Sequence, residues 1–236
     1  MTAPVTFTRA GFVQGARDCV PLLIGTMPFG LVTGIASHAA DLSMLEAVLM
    51  SGIVYAGSAQ LLALAAWTHP APILAATFAA FVVNLRLALM GPVLAPWLDH
   101  LRGWRLWLSL FVMADQNWAQ SLKTMNAGGR DAAVLLGSGT AMIIVWTLMT
   151  AIGHAAGSYI QPPPGHPLFF AALAIFVSML VNMWRGPRDI LPWVVAAVIA
   201  TIVAKLLPGG SWHIVSGALG GSLVGGLRDH YRKTAA

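Results

Sequence analysis

The sequence predicts an all-α fold, a polytopic helical bundle integral to a membrane, and three observations lead to that fold class. The chain has 236 residues, of which 58% are apolar and 9% charged, and its mean hydropathy is +0.76. Soluble domains are about 25% charged, so these charges are too few to cover a surface in water. The apolar residues form long blocks separated by turn residues. Cys19 is the only cysteine, which excludes a disulfide scaffold.

Eight apolar segments approach the length of about 20 residues that a helix needs to cross a bilayer. They cover residues 19–37, 45–67, 71–96, 104–123, 131–157, 167–184, 189–207 and 211–227. The predicted organisation is a cytoplasmic N-terminal segment (1–18), one transmembrane domain (19–227) and a cytoplasmic tail (228–236). We expect seven to eight spans, because 45–67 or 104–123 can also be interpreted as a segment that dips into the membrane and returns.

Lysine and arginine residues are distributed unequally between the two predicted sides of the membrane. With eight spans, both termini share one side with nine basic residues, whereas Arg102 and Arg105 fall on the other side. Because cytoplasmic loops are rich in Lys and Arg, both termini are predicted to be cytoplasmic, and Arg102 and Arg105 are the exception. The net charge is +5, but no basic run alternates with stacking aromatic residues, so no nucleic-acid partner is expected.

Two charged residues lie deep inside predicted spans. At a rise of about 1.5 Å per residue, Arg86 and Asp115 are each roughly 15 Å from the turn at 97–104, which is half a hydrocarbon core. An unpaired charge there costs at least about 2.5–3.5 kcal/mol, so the two are predicted to pair across a hairpin. The pair could serve only helix packing, or it could meet a substrate or a proton. The neighbouring amides of Asn84 and Asn117 favour the second interpretation.

Two of the segments are predicted to be broken near the membrane midplane. The first break lies at 25–30, where Pro28 removes a backbone donor, and the second lies at 55–60. Transporters place such breaks at binding sites, because the N-terminus of a half-helix presents free N–H groups to an anion. A kink without a ligand is the alternative. The candidate binding residues in the two breaks are Thr26, Pro28, Phe29, Gly30, Tyr55, Gly57, Ser58 and Gln60.

Small residues at four-residue spacing form a further pattern, in the pairs Gly30/Gly34 and Gly153/Gly157 and in the series Gly217/Gly221/Gly225. Such spacing lets helix backbones approach closely, and we interpret it as packing.

Motifs of soluble catalysis are missing from the sequence. It has no Gly-Lys-Ser/Thr phosphate loop, no His-Glu-x-x-His helix and no Gly-x-Ser-x-Gly elbow. We therefore expect a protein that is not an enzyme, with no catalytic residues, metal ligands or cofactor.

Taken together, these motifs resemble the AzlC family of branched-chain amino acid permeases. The resemblance is carried by Pro28-Phe29-Gly30 with Gly34, by Ser51 with Tyr55-Ala56-Gly57-Ser58-Ala59-Gln60, by Asn84-Leu85-Arg86 with Met90-Gly91, and by Asp115. Three positions depart from the family pattern. Leu87 stands where the family commonly has His, Gln116 replaces the second acid of an acidic pair, and Phe169 replaces an acidic residue.

The resemblance implies export of branched-chain amino acids across a bacterial inner membrane, together with a small four-span partner of the AzlD type. On this hypothesis the breaks hold the substrate carboxylate and Asp115 senses its ammonium group or a proton. Arg86 would orient Asp115 or bind the carboxylate. A passive channel or facilitator for a small polar solute and a structural membrane subunit without a substrate remain the alternatives.

Overall fold

The computed structural model describes residues 4–65, 67, 73–159, 184, 186–207 and 212–234, and its regular structure within these residues is helical. This confirms the all-α fold class. The helices are α1 (Arg9–Asp18), α2 (Val20–Ala39), α3 (Met44–Val54), α4 (Gly57–Ala65), α5 (Ile73–Met90), α6 (Ala95–Leu98), α7 (Trp104–Phe111), α8 (Asp115–Asn126), α9 (Ala133–Gly157), α10 (Ile190–Leu206) and α11 (Trp212–Thr234). Short 3-10 turns cover Gly91–Leu94 and Pro187–Asp189.

Three described segments are long and apolar enough to cross a bilayer: Val20–Ala39, Ala133–Gly157 and Pro187–Leu206. They support a membrane location, but the predicted count of seven to eight spans is not confirmed. The segment predicted at 167–184 lies outside the described residues except for Trp184. The predicted domain limits also stay a prediction.

The centre of the fold is a close pair of parallel helical segments, α1–α2 and α9. Gly15 in α1 lies against Val134 near the start of α9, and Gly34 in α2 lies against Thr150 further along α9. The two segments therefore run in the same direction. Helix α1, within the predicted N-terminal segment, is thus packed on the start of α9. The Thr8 side chain caps α1 and also bonds the carboxylate of Asp131 just before α9.

Helix α2 continues through Pro28, so the predicted break at 25–30 is wrong. A proline removes only one backbone donor, and the surrounding turns keep their hydrogen bonds. The Thr26 hydroxyl donates to the Leu23 carbonyl (3.0 Å), and the Thr33 hydroxyl donates to the Phe29 carbonyl (2.9 Å). Polar groups of this helix are thereby satisfied inside the chain, as a membrane interior requires.

Helices α3 and α4 form a helical hairpin, here called hairpin A. Tyr55 is left-handed (φ 45, ψ 44) and separates the end of α3 from Gly57, the first residue of α4. The Gln60 side-chain amide donates to the Ser51 hydroxyl at 2.8 Å. In a continuous helix these residues would stand about 13.5 Å apart along the axis. The chain therefore turns back on itself at 55–56, which confirms the predicted break in this segment.

Helices α7 and α8 form a second hairpin, here called hairpin B. Trp104, at the base of α7, packs against Phe7 near the start of α9, with ring centroids 6.1 Å apart. Val112, in the turn between α7 and α8, lies against Gly139 in α9. Helix α8 then returns, and Gln120 bonds a backbone carbonyl of α1. Both ends of this hairpin consequently lie at the end of the bundle where α9 begins.

The two hairpins enter the bundle from opposite ends. Hairpin A follows Leu42, whose carbonyl oxygen is 2.7 Å from His154 near the end of α9. Its second arm, α4, packs on α5, which runs down to the other end, where the Met90 carbonyl accepts a hydrogen bond from Trp118 (2.9 Å). Segments 45–67 and 104–123 are thus each divided into two helices joined by a turn, which is consistent with the alternative that the sequence had left open, a segment that dips into the membrane and returns.

A buried apolar cluster packs against hairpin B at the end of the bundle where α9 begins. Its buried members are Leu94, Trp97, Leu98, Leu101, Met113, Ala132, Val134 and Leu135. At the C-terminal side, α10 and α11 pack together through close contacts of Gly217 and Gly221 with Ala196.

Candidate functional site

Hairpin A is attached to α9 by a chain of buried hydrogen bonds. Gln60 donates to Ser51 (2.8 Å) and accepts from the indole N–H of Trp146 (3.0 Å). Ser51 in turn donates to the Thr150 hydroxyl (3.0 Å), which donates to the Trp146 carbonyl (3.0 Å). Gln60 is 1% exposed, and Ser51 and Thr150 are fully buried. Such a closed polar network fixes the position of the hairpin tip in a medium that offers no other partners.

The tip of hairpin A carries two buried hydroxyl groups that make no hydrogen bond within the described part of the chain. They belong to Tyr55 and Ser58. Tyr55 is one of only two non-glycine residues with positive φ among the described residues, a conformation that costs about 1–2 kcal/mol. An unsatisfied buried hydroxyl is costly, so these two groups are candidates for contact with a ligand.

Helix α4 begins at this tip, and its N-terminus is set among aromatic rings. Ala56 precedes it and has no side-chain acceptor for the first N–H groups. Gly57 fits between Phe29 and Trp146, since a Cβ there would lie 2.5 and 2.6 Å from their ring carbons. Those rings pack edge to face with centroids 5.2 Å apart. The arrangement offers an anion-binding helix end beside an apolar wall.

Helix α8 also begins at a hairpin tip, with Asp115 as its first residue. Asn117 stabilises the turn before it: the side-chain oxygen accepts from the Ala114 N–H (2.7 Å), and the amide donates to the Val112 carbonyl (2.9 Å). The Asn117 side chain is therefore used to hold the tip of hairpin B. The tips of the two hairpins contact Trp146 and Gly139 of α9, roughly 10 Å apart along its axis.

Asn84 and Arg86 lie on α5. The Asn84 side-chain oxygen is buried and has no hydrogen-bond partner within the described residues. The side chain of Arg86 lies outside what the structure describes. Its predicted pairing with Asp115 therefore stays a prediction.

Apart from Asn84 and Arg86 on α5, the predicted site residues divide into three groups. Thr26 and Pro28 lie on the uninterrupted part of α2, where Pro28 is exposed. Asp115 and Asn117 lie at the tip of hairpin B. The residues that meet at the tip of hairpin A are Phe29, Gly30, Tyr55, Gly57, Ser58 and Gln60.

Sequence reasoning missed the contribution of α9. Trp146, Thr150 and His154 are spaced four residues apart on one face of that helix, and each bonds hairpin A or the loop leading to it. The sequence had predicted this segment as an apolar span with one packing pair, Gly153 and Gly157, and had assigned it no binding residue. The spacing of these polar groups within it was the available signal.

Comparison with known proteins supports a membrane location. The family model described as AzlC protein matches residues 21–160, which include α2 except its first residue, both hairpins, α5 and α9. The inner membrane protein YgaZ of Escherichia coli (strain K12) is 25% identical over 206 residues, covering 84% of this chain and 82% of that protein. An uncharacterized membrane protein of Archaeoglobus fulgidus is 26% identical over 219 residues, covering 92% and 95%. No solved structure matches. The chain belongs to the AzlC family of membrane proteins.

Proposed function

We propose that this protein exports branched-chain amino acids across the bacterial inner membrane, as the large subunit of a two-component permease with a small four-span AzlD-type protein. Membership of the AzlC family supports a membrane transporter. A relative named as an inner membrane protein supports that membrane. The observation that carries the proposal is the tip of hairpin A, where a helix N-terminus and two buried hydroxyl groups meet aromatic side chains.

This tip has the chemistry that an aliphatic amino acid requires. The N-terminus of α4, with the hydroxyls of Tyr55 and Ser58, would bind the substrate carboxylate. Phe29 and Trp146 would contact the aliphatic side chain. Asp115, at the facing tip of hairpin B, would bind the ammonium group or a proton. In such a site, protein groups take the place of water around both charged groups of the zwitterion. Transport through an apolar layer requires this replacement.

The distribution of charge supports cytoplasmic N- and C-termini. Because hairpin B folds back, Arg102 and Arg105 are at the same end of α9 as Arg130, and they are no longer an exception to the positive-inside rule. The guanidinium of Arg105 is 5.2 Å from the ring centroid of Phe7 near the N-terminus. No Lys or Arg occurs between Arg17 and Arg86 in the sequence. Hairpin A would thus enter from the periplasmic side and hairpin B from the cytoplasmic side.

Counterflow in proteoliposomes tests the proposal. Vesicles loaded with unlabelled valine should accumulate radiolabelled valine, and the experiment is run with and without a co-expressed four-span protein of the AzlD type. The Ser58→Ala variant should accumulate less, while Thr201→Val, an exposed position on α10 with its hydroxyl bonded within its own helix, should match the parent protein. Absence of counterflow for valine, leucine and isoleucine under both conditions would contradict the proposal.

The alternative function, a passive channel or facilitator for a small polar solute, makes a different prediction. A facilitator would move valine only to equilibrium, at a rate unchanged when the proton gradient is collapsed. A coupled exporter would accumulate valine in inverted vesicles above equilibrium and lose that accumulation when a protonophore is added.

A further inference from the structure

Two histidines meet where α2 and α9 end. The rings of His38 and His154 pack edge to face, with centroids 5.1 Å apart and an interplanar angle of 87°. Gly157 permits this approach, because a Cβ there would lie 2.8 Å from the Cβ of His38. His154 is only 8% exposed, so the contact is part of the packed interior at this end of the bundle.

His154 also holds the base of hairpin A. Its Nε2 is 2.7 Å from the Leu42 carbonyl oxygen, and since a carbonyl only accepts, Nε2 carries the proton and donates. Leu42 directly precedes Ser43, the residue that caps α3 through a reciprocal contact with Glu46. The hairpin is therefore attached to α9 at its base by His154, and in its interior through Ser51 and Gln60.

Two acidic side chains lie at the same end of the bundle as the histidine pair. Asp41, in the loop after α2, and Glu46, on α3, are the charged side chains that the described residues place at this end, and both are exposed. Histidine is the side chain that commonly changes charge between pH 5 and 8.

We propose that His38 and His154 form a pH-sensitive switch that holds hairpin A when uncharged and releases it when both rings are protonated. The proposal rests on the proposed function, in which the tip of hairpin A holds the substrate carboxylate, so release of the base of the hairpin would open that site. Two imidazolium rings at this separation repel each other. Separation of the rings displaces His154 from Leu42 and frees the base of the hairpin. Protons from the side that hairpin A enters would then control opening toward that side.

Distance measurement between spin labels tests the switch without any substrate, so its failure is distinguishable from failure of the amino-acid assignment. Labels are placed by Leu45→Cys on α3 and Ile152→Cys on α9, both exposed positions, with Cys19→Ser to remove the native thiol. On lowering the pH from 8 to 5, a longer distance should become populated. The ratio of the population at the longer distance to that at the shorter distance should change by up to about tenfold per pH unit for each proton bound.

Three variants test whether the change in distance depends on the two histidines. His38→Gln and His154→Gln each prevent charging of both rings, and the second keeps an amide that can donate to the Leu42 carbonyl, so both should abolish the distance change. His100→Gln, an exposed position at the other end of the bundle, should leave it intact. The proposal is overturned if the parent shows no change, if the change survives in either pair variant, or if it is also lost in His100→Gln.

Discussion

Gly34 and Gly153 each face a backbone carbonyl of the other's helix. A Cβ on Gly34 would collide with the Thr150 carbonyl oxygen, and one on Gly153 would collide with the Leu31 carbonyl oxygen. Thr150 lies three residues before Gly153, and Leu31 lies three residues before Gly34. The two helices therefore make the same contact with each other where they cross. Helices α2 and α9 thereby approach as closely as backbones allow. This contact fixes Phe29 of α2 relative to Trp146 of α9, and so sets the space available at the tip of hairpin A.

Gly34→Ala is expected to destabilise the protein, because the added methyl group must push α2 away from α9. Overpacking of this kind costs about 1–3 kcal/mol. Gly25→Ala, in the same helix, is the matched control, since nothing lies within 4 Å of a Cβ there. The measurement is thermal denaturation in detergent, followed by size-exclusion fluorescence. The Gly34 variant should melt at a lower temperature than the Gly25 variant, and equal melting temperatures would contradict this account of the crossing.

Gln60→Leu is expected to loosen hairpin A. The change leaves the Trp146 indole without its acceptor and Ser51 without a donor, and each buried unsatisfied group costs about 1–3 kcal/mol. Gln14→Leu, on the exposed face of α1, removes the same side chain without such losses. Protease sensitivity of purified protein reports local opening. Faster cleavage within hairpin A, at 44–65, is expected for the first variant alone, and equal cleavage of both would show that the network does not hold the hairpin.

Hydropathy and turn chemistry predicted the class of fold and one of its two hairpin tips. The few charges and long apolar blocks leave a helical membrane bundle as the stable solution. Tyr55 with Gly57 marked a real break, because a left-handed residue stops the helix. Pro28 was overinterpreted, because a single missing donor does not end a helix whose other bonds persist.

The same signals could not predict whether an apolar segment continues as one helix or turns back as a hairpin. Segments 45–67 and 104–123 are apolar enough to cross a membrane, and apolar length carries no information about whether a segment returns. The second tip also lacks glycine and proline at Val112–Ala114, and there the side chain of Asn117 forms the turn. Thr150 and Trp146 were overlooked because their partners, Ser51 and Gln60, are distant in sequence.

Asp115→Asn is expected to abolish valine efflux while the protein remains in the membrane. Asparagine has nearly the same shape and retains hydrogen-bonding capacity at the start of α8, but it removes the charge proposed to bind the ammonium group or a proton. Asp99→Asn, at an exposed position outside both hairpins, removes one carboxylate with no effect expected. Efflux of radiolabelled valine and the amount of protein in membranes are measured together. Efflux at the parental rate in Asp115→Asn would remove Asp115 from the site.

Tyr55→Phe is expected to separate binding from stability. The Tyr55 hydroxyl makes no hydrogen bond with the residues that the structure describes, so its removal should leave the melting temperature unchanged. A hydrogen bond to a charged carboxylate contributes about 1.5–3 kcal/mol, so the KM for valine in counterflow should rise about tenfold or more. Tyr159→Phe is the control, because that ring is 91% exposed. An unchanged KM with an unchanged melting temperature would mean that the hydroxyl faces no substrate, and the carboxylate site would then have to be built from α4 and Ser58 alone.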